Sequence, residues 1–334
     1  MPSRNTLYVY LALLAIVSTV AGLTYQLIDW GIDVAGCKLH REPGTFLAYC
    51  ASIQYGDYEH GAYYFDLEPE AIEDLKKAQV LFLGNSRAQF GFSTDEVRNY
   101  FNERSIPFYL MGFAYDETSE FATVLIEKFN LKPKVLVIDT EPFFTDRLSA
   151  PASAILDDSG SFWQRGLRFI RVRREYLQKR HFYRLQSKLC DLLPMLCSEK
   201  YAAIYRARKD GSWIWRDLYS SAEGRRVPND DFRPRVLGPE FLVAVEGHAR
   251  RLFDAAGVRP ECVILTAVPN PNNDARSYTV EAGRLLGARV DLPELGGLET
   301  IDGSHLTWAS AQRWSGTLMR EIDSPVTRCV FGGS

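Results

Sequence analysis

Val80–Gly91 has the sequence VLFLGNSRAQFG, and the prediction of the fold class is based on this segment. Four apolar residues, Val80–Leu83, are followed at once by Gly84, and the preceding segment PEAIEDLKKA has helical spacing. A short apolar run that a glycine ends is typical of a strand buried on both faces of a parallel sheet. This part of the chain therefore predicts a helix that leads into a buried parallel strand.

The alternation of helix and strand continues along the chain. Further apolar runs predict strands at Pro107–Met111, Val135–Asp139 and Cys262–Val268. Helical periodicity or a capping signal predicts helices from about Ser93 to Phe101 and over Thr118–Phe129, Pro239–Ala256, Ser277–Leu286 and Trp308–Ile322. Such alternation indicates an α/β fold in which helices cover both faces of a parallel sheet.

Four segments are predicted along the chain. Residues 1–30 form an N-terminal transmembrane anchor, and residues 31–67 form an irregular stalk in which Gly and Tyr are frequent and no periodicity persists. The α/β domain comprises residues 68–144 and 239–326. Residues 145–238 interrupt the alternation and are predicted to be a mainly helical insertion that is rich in basic and aromatic residues.

The anchor is predicted from Thr6–Ile28, a run of 23 residues without a charge. At 1.5 Å per residue a helix of that length reaches about 34 Å, enough to cross a bilayer core. Arg4 precedes the run and Asp29 follows it, a weak positive-inside bias. The sequence thus predicts a single-pass protein of the cell inner membrane, with the bulk of the chain in the periplasm or extracytoplasmic space. A cleaved signal peptide is the alternative, because Val-Ala-Gly at 20–22 offers small residues near a cleavage point.

The overall charge favours no class of charged partner. The chain has 39 basic and 42 acidic residues and a formal net charge of −3, so nucleic acid is not an expected partner. The loop around Ser86 lacks the glycine spacing of dinucleotide-binding and phosphate-binding loops, and no cofactor is predicted.

The six cysteines form no CxxC pair, and no histidine lies at a spacing that suits zinc, so no metal site is predicted. An oxidising compartment would allow disulfides. The close pairs are Cys37/Cys50 and Cys190/Cys197, and Cys262/Cys329 is then the long-range candidate. The sequence alone does not fix this connectivity.

The insertion contains a strongly basic segment. Trp163–Lys188 holds nine Lys or Arg against one Glu, interleaved with aromatic and aliphatic residues. One interpretation is a solvated helix on an inserted subdomain. The other is a surface that meets anionic lipid head groups or an acidic polysaccharide, since basic amphipathic helices lie in membrane interfaces.

The candidate catalytic residues follow from where ligands bind in such sheets, which is beyond the carboxyl ends of the strands. Ser86 lies two residues after Gly84, where the first predicted strand ends. A serine that acts as a nucleophile also needs a base. His305 lies in a loop before the terminal helix, and Asp302 precedes it by three residues. This spacing lets the carboxylate accept from one ring nitrogen while the other faces Ser86. The alternative is that Ser86 caps one helix and Asp302 or His305 caps the last.

These blocks carry a resemblance to a known family. Gly84-Asn85-Ser86 and Asp302-Gly303-Ser304-His305 resemble the first and last blocks of SGNH (GDSL-type) hydrolases, whose patterns are Gly-Asp-Ser and Asp-x-x-His. The resemblance covers roughly residues 78 to 322 and is closest to the membrane-anchored or exported branch that includes alginate-type polysaccharide O-acetyltransferases. It implies a three-layer flavodoxin-like fold and an acyl-enzyme, with Ser86 as nucleophile, His305 as general base and Asp302 as its orienting carboxylate.

The resemblance also implies an oxyanion hole. Its donors would be the N–H of Ser86, the N–H of Gly112 after the second strand, and an Asn side chain after the third strand. No residue matches that Asn, because Thr140-Glu141-Pro142 follows the third strand. Asn85, which replaces the family's Asp, is a further candidate donor. Loss of one donor typically costs about 100-fold to 1,000-fold in rate, so this departure favours a protein of weak or no activity.

Two residues at the same rim are candidate substrate contacts. Arg87 directly follows the nucleophile, and if it faced the crevice it would favour an anionic sugar or carboxylate, although a charge on the helix surface is the favoured interpretation. Asn270 follows the strand CVILTAV in a segment that chiefly predicts a turn.

The leading hypothesis is a membrane-anchored serine acyltransferase or esterase that acts on O-acyl groups, with acetyl expected, of an envelope or secreted polysaccharide. The rival is a catalytically silent module that binds a polysaccharide or scaffolds a membrane-embedded acyl-transferase. A lipid-directed esterase is the third interpretation, and it rests only on the anchor and the basic insertion.

Overall fold

The computed structural model describes residues 4–34, 41, 44–50, 57–114, 116–141, 143–156, 162–181, 188, 191–193, 203–216, 224–227, 238–271 and 275–332. Its helices are α1 (Arg4–Val34), α2 (Asp57–Tyr64), α3 (Pro69–Lys77), α4 (Ser86–Phe92), α5 (Asp95–Glu103), α6 (Ser119–Phe129), α7 (Ala150–Leu156), α8 (Phe162–His181), α9 (Pro239–Ala256), α10 (Ala275–Leu286), α11 (Trp308–Glu321) and α12 (Asp323–Phe331). Its strands are β1 (Phe46–Cys50), β2 (Val80–Gly84), β3 (Phe108–Gly112), β4 (Val135–Asp139), β5 (Ala203–Ala207), β6 (Trp213–Ile214), β7 (Arg225–Arg226), β8 (Val263–Thr266), β9 (Arg289–Val290) and β10 (Glu299–Thr300).

The main sheet has five strands in the order β3-β2-β4-β8-β9, and every neighbouring pair is parallel. Every residue of β2, β3, β4 and β8 is buried, which explains why these strands are apolar runs without alternation. The predicted α/β fold with a parallel sheet is therefore confirmed. In chain order of its own strands this sheet reads 2-1-3-4-5, the order of flavodoxin-like folds, whose ligands bind where the order reverses, here between β2 and β4.

The segment predicted as an irregular stalk contains regular structure. β1 pairs antiparallel with β5 of the insertion, and α2 follows it with His60 and Tyr63 fully buried. The prediction for residues 31–67 therefore differs from the structure. Both elements are short, five and eight residues, and they are stabilised by partners distant in sequence, so no local periodicity marks them.

In its described part the insertion has more helical than strand residues, as predicted, but it also contributes strands that the prediction did not include. It supplies α7 and α8 and also the strands β5, β6 and β7. β5 and β6 form a three-stranded antiparallel sheet with β1. β7 pairs antiparallel with β10, the strand that precedes α11. Strand pairing thus joins the insertion to residues 31–67 through β1 and to the second half of the α/β domain through β10.

A buried arginine links the insertion to the main sheet. Arg206 of β5 is fully buried and donates to Glu59 Oε1 at 2.6 Å, to the carbonyl oxygen of Leu110 at 2.7 Å and to that of Gly112. The Leu110 N–H in turn donates to the carbonyl of Asp210 at 2.7 Å. A buried charge is tolerated when it is paired and its donors are engaged, which is the case here.

The N-terminal helix α1 is apolar, and its described side chains between Tyr8 and Leu23 are exposed. Among the residues that the structure describes, no helix is long and apolar enough to span a membrane. The predicted transmembrane helix is thus not found there, and the membrane location stays a prediction.

One predicted disulfide is present. Cys262, next to β8, bonds to Cys329 of α12 and closes a loop with a sequence separation of 67. The long-range candidate is therefore confirmed. Cys37, Cys190 and Cys197 lie outside the described residues, and of Cys50 only the backbone is described.

Candidate active site

The turn after β2 requires glycine. Gly84 has φ of 150°, and a Cβ at this position would lie 2.6 Å from Cβ of Ala88 and 3.0 Å from Cβ of Asp139. Such distances are too short for any side chain, so only glycine lets α4 start this close to β4. The result places Ser86 at the carboxyl end of β2, where the strand order of the sheet reverses.

Asn85 starts the helix that carries the serine. Its Oδ1 accepts from the backbone N–H of Arg87 at 2.9 Å, so Asn85 is the N-cap of α4. Ser86 is consequently the first residue of the helix, and its hydroxyl is not used for capping.

The loop that carries the histidine is held by the carboxylate of Asp302. Asp302 Oδ1 accepts from the backbone N–H groups of Ser304 at 2.8 Å and His305 at 2.9 Å. Gly303 between them has φ of 83°, which a glycine adopts without steric cost. Thr307, not Asp302 or His305, caps α11 by accepting from the N–H of Ser310.

Three side chains meet in a chain of hydrogen bonds. Ser86 Oγ lies 3.0 Å from His305 Nε2, and His305 Nδ1 lies 2.8 Å from Asp302 Oδ2. The carboxylate selects the tautomer with the proton on Nδ1, so that Nε2 accepts from the serine hydroxyl. Since Asn85 and Thr307 do the capping, the alternative in which Ser86, Asp302 or His305 serve as helix caps does not describe these contacts.

Comparisons of the chain with protein-family models, curated proteins and solved structures find no match. The assignment of the triad therefore rests on its geometry and on two short blocks of sequence. The sequence predicts that Ser86 and His305 are partners although they lie more than 200 positions apart. The fold brings their side chains into hydrogen-bonding contact.

The electrostatics of the triad favour an ionised Asp302. Partial burial raises its pKa, but the hydrogen bonds from the ring and backbone of His305 and from the N–H of Ser304 outweigh burial and hold the pKa well below its usual value. An ionised carboxylate next to the imidazole is what stabilises an imidazolium when His305 takes a proton.

Aromatic side chains support the imidazole. The ring of Phe90, on α4, lies 4.4 Å from that of His305 between centroids, and Trp215 packs on Phe90 at 4.6 Å. Trp308 packs in turn on Trp215 at 5.2 Å. Trp215 comes from the insertion, so the insertion contributes to the aromatic packing behind the imidazole of His305.

Arg87 faces the crevice and not the solvent side of its helix. Its Nε donates to Ser304 Oγ at 2.8 Å, and its guanidinium forms an ion pair with Glu141, two residues after β4. The favoured interpretation of a surface charge was therefore wrong. Burial lowers the pKa of Arg87, while the nearby carboxylates of Asp139, Asp116 and Asp302 oppose that effect. The guanidinium joins the turn that carries Ser86 to the loop that carries His305.

The oxyanion donors expected from the resemblance are present only in part. Gly112 is level with Gly84 in the sheet, and a Cβ on it would lie 3.1 Å from the carbonyl oxygen of Asn85, so the two backbones approach closely beside Ser86. Asn85 is observed as a cap, and its role as a donor stays a prediction. Glu141 lies two residues after the third strand, in the segment where the resemblance expects Asn, and a carboxylate accepts hydrogen bonds without donating any.

Asp139 is a buried carboxyl at the same edge that sequence reasoning passed over. It ends β4 beside Gly84 and is 1% exposed. Oδ1 accepts from the N–H of Val268 at 3.1 Å, whereas Oδ2 has no hydrogen-bond partner among the described residues. Burial raises the pKa of Asp139 to about 7, although the Val268 N–H and the charge of Arg87 act in the opposite direction. The rule that found Ser86, a polar residue at the end of a buried strand, would also have found Asp139 and Glu141.

Asn270 follows β8 and is buried. Its prediction as a substrate contact stays a prediction. Among the described residues no group of three or more His, Cys, Asp and Glu side chains is placed to hold a metal ion.

Proposed function

We propose that this protein is a serine-dependent acyl-transfer enzyme, an acyltransferase or esterase in which Ser86 is the nucleophile. The observation that carries the proposal is the hydrogen-bond chain from Ser86 Oγ through His305 to Asp302, with distances of 3.0 Å and 2.8 Å. Nucleophile, base and orienting carboxylate within hydrogen-bond reach are the arrangement that activates a serine hydroxyl.

The reaction runs in two halves. Ser86 Oγ attacks the acyl carbonyl carbon and its proton passes to His305 Nε2; the leaving alcohol oxygen then takes that proton as the ester bond breaks, which leaves acyl-Ser86. In the second half a water or a sugar hydroxyl gives its proton to His305 Nε2 and attacks the acyl-enzyme, and Ser86 recovers its proton. Asp302 stays ionised throughout and stabilises the imidazolium.

Arg87 is our candidate to replace the missing Asn as a donor. A guanidinium has five N–H donors, and the described contacts use donors toward Ser304 and Glu141 only. The remaining donors are available to an oxyanion or to a carboxylate of the substrate. Glu141 and Ser304 hold the guanidinium in place, so this donor is preorganised.

The substrate class and the location are carried over from the resemblance. We expect an O-acyl, chiefly O-acetyl, group on an envelope or secreted polysaccharide, and a single-pass protein of the inner membrane whose bulk lies outside the cytoplasm. The Cys262–Cys329 disulfide supports the location, because disulfides persist in oxidising compartments. Digestion of the chain by protease added to intact spheroplasts tests it, and a chain that is protected there but cleaved after lysis would contradict it.

The catalytic proposal is tested on the purified full chain with p-nitrophenyl acetate, with and without oligosaccharide acceptors. We expect release of nitrophenol, labelling of Ser86 by a fluorophosphonate probe, and loss of both in Ser86→Ala. Ser324→Ala, which removes an exposed hydroxyl on α12, is the matched control and should keep full activity. Acetylated sugar in the products would identify a transferase.

The silent module is the second candidate, and one observation favours it: Glu141, and not an oxyanion donor, follows the third strand. Absence of turnover and of probe labelling in a folded wild-type protein, together with binding of the oligosaccharide, would establish it and refute the catalytic proposal.

A further inference from the structure

The helix α8 presents a row of large apolar side chains to solvent. Its N-terminal half has the most exposed of them: Phe162 at 78%, Trp163 at 77%, Leu167 at 64% and Ile170 at 62%. Leu177, one heptad beyond Ile170, is also exposed. Residues three, four and seven apart share a face of a helix, so Trp163, Leu167 and Ile170 form one continuous stripe.

The opposite side of α8 is its attachment to the protein. Val172 is buried and packs on Gly61 of α2. The contact is so close that a Cβ on residue 61 would lie 2.7 Å from a methyl carbon of Val172. Ile170 and Val172 are two residues apart, about 200° around the helix, so the exposed stripe points away from the body. The ring of Phe169 packs on Phe65 at 5.3 Å between centroids and fixes the orientation further.

The charge of the helix indicates what covers this stripe. α8 contains seven Lys or Arg and one Glu, and Arg173 among them is exposed. A helix that combines exposed Trp, Phe, Leu and Ile with an excess of basic residues has the composition of helices that lie in the interface of anionic bilayers. An acidic polysaccharide would satisfy the basic residues, but it would leave Leu167 and Ile170 in water.

We propose that the outer face of α8, formed by Phe162, Trp163, Leu167, Ile170 and Leu177, docks on the surface of an anionic phospholipid bilayer. The apolar side chains enter the boundary between head groups and acyl chains, and the basic side chains contact the lipid phosphates. The docking does not depend on the proposed catalytic function, because α8 contributes no residue to the Ser86–His305–Asp302 chain of hydrogen bonds.

Trp163 serves as the reporter. The full chain is reconstituted in vesicles of phosphatidylcholine alone or mixed with phosphatidylglycerol, and the emission of Trp163 is obtained as the difference between the wild type and Trp163→Phe. In the anionic vesicles we expect this emission to shift to the blue and to be quenched by brominated lipid, and both effects to weaken at high salt. Arg173→Glu should lower the fraction of the Trp163 emission that brominated lipid quenches. Each basic residue near the surface of an anionic bilayer changes the partition coefficient between water and membrane by about fivefold.

Leu167→Ser combined with Ile170→Ser should also lower lipid quenching of Trp163. The matched control is Val243→Ser, which removes an exposed apolar side chain from α9 and should change nothing. If the Trp163 emission remains that of an indole in water in both kinds of vesicle, the docking is refuted. It is equally refuted if soluble alginate protects Trp163 from iodide and anionic vesicles do not.

Discussion

Replacement of Asp139 by Asn should change how the stability of the protein depends on pH. The carboxyl is buried, and its pKa in the folded state is about 7 against an ordinary 3.8. Between these values the folded protein retains a proton that the unfolded chain has released, so the free energy of unfolding falls as the pH rises. Below about pH 4 both states are protonated, and above about pH 7 both are ionised, so the effect is confined to that window.

The magnitude follows from the difference of about three pH units. At about 1.36 kcal/mol for each unit, the wild type loses roughly 4 kcal/mol of stability between pH 4 and pH 8 on account of this one group. Asn has the same shape, its Oδ1 can accept from the N–H of Val268 as Asp139 does, and it does not ionise. The variant should therefore gain up to roughly 4 kcal/mol relative to the wild type across the window.

Urea unfolding followed by tryptophan fluorescence at a series of pH values measures the two free energies. Asp254→Asn, at an exposed carboxylate of α9, is the control and should give a curve parallel to that of the wild type. Parallel curves for Asp139→Asn and the wild type from pH 4 to 8 would refute the reasoning. They would mean that the carboxyl of Asp139 reaches solvent or gains a partner when it ionises.

Three further changes have defined outcomes. Asp302→Asn should lower kcat for ester hydrolysis by about 10,000-fold, because the amide no longer selects the required tautomer of His305; an unchanged kcat would contradict the triad. Arg87→Ala should lower kcat by about 100-fold with a smaller change in KM, since the loop of His305 loses its link to the nucleophile turn, and Arg87→Lys should recover part of that loss; equal kcat values in all three proteins would argue against the link. Conversion of Cys262 and Cys329 together to Ser should cost about 4 kcal/mol in urea unfolding for the loop that the disulfide closes, and an unshifted urea midpoint would contradict this.

The central sheet could be predicted because the burial of its strands is visible in their own sequences. Val80–Leu83 and Val135–Ile138 are apolar at every position, which only a strand covered on both faces requires, and the turn glycine is visible in the sequence. Ser86, Asp302 and His305 could be proposed because ligands bind beyond the carboxyl ends of the strands, and because Asp302 precedes His305 by three residues in a loop before the last predicted helix.

The remaining features depend on contacts that no local pattern records. Glu59 in α2 is buried because Arg206, 147 positions later, neutralises it, so nothing near Glu59 predicts an ordered helix there. The local sequence also does not show whether the side chain of Arg87 faces solvent or the crevice. Its orientation depends on Ser304 and Glu141, which the fold brings to it from two other segments.

The position of Arg206 has a consequence for how the protein avoids self-association. β3 is one of the two outer strands of the main sheet, and an outer strand offers unpaired N–H and C=O groups that invite pairing with another chain. Here the carbonyls of Leu110 and Gly112 are bound by Arg206, and the Leu110 N–H is bound by Asp210. The insertion therefore covers this edge. A shortened chain without residues 145–238 would keep Gln89 on the two carbonyls but would expose the Leu110 N–H, and it should aggregate more readily than the full chain.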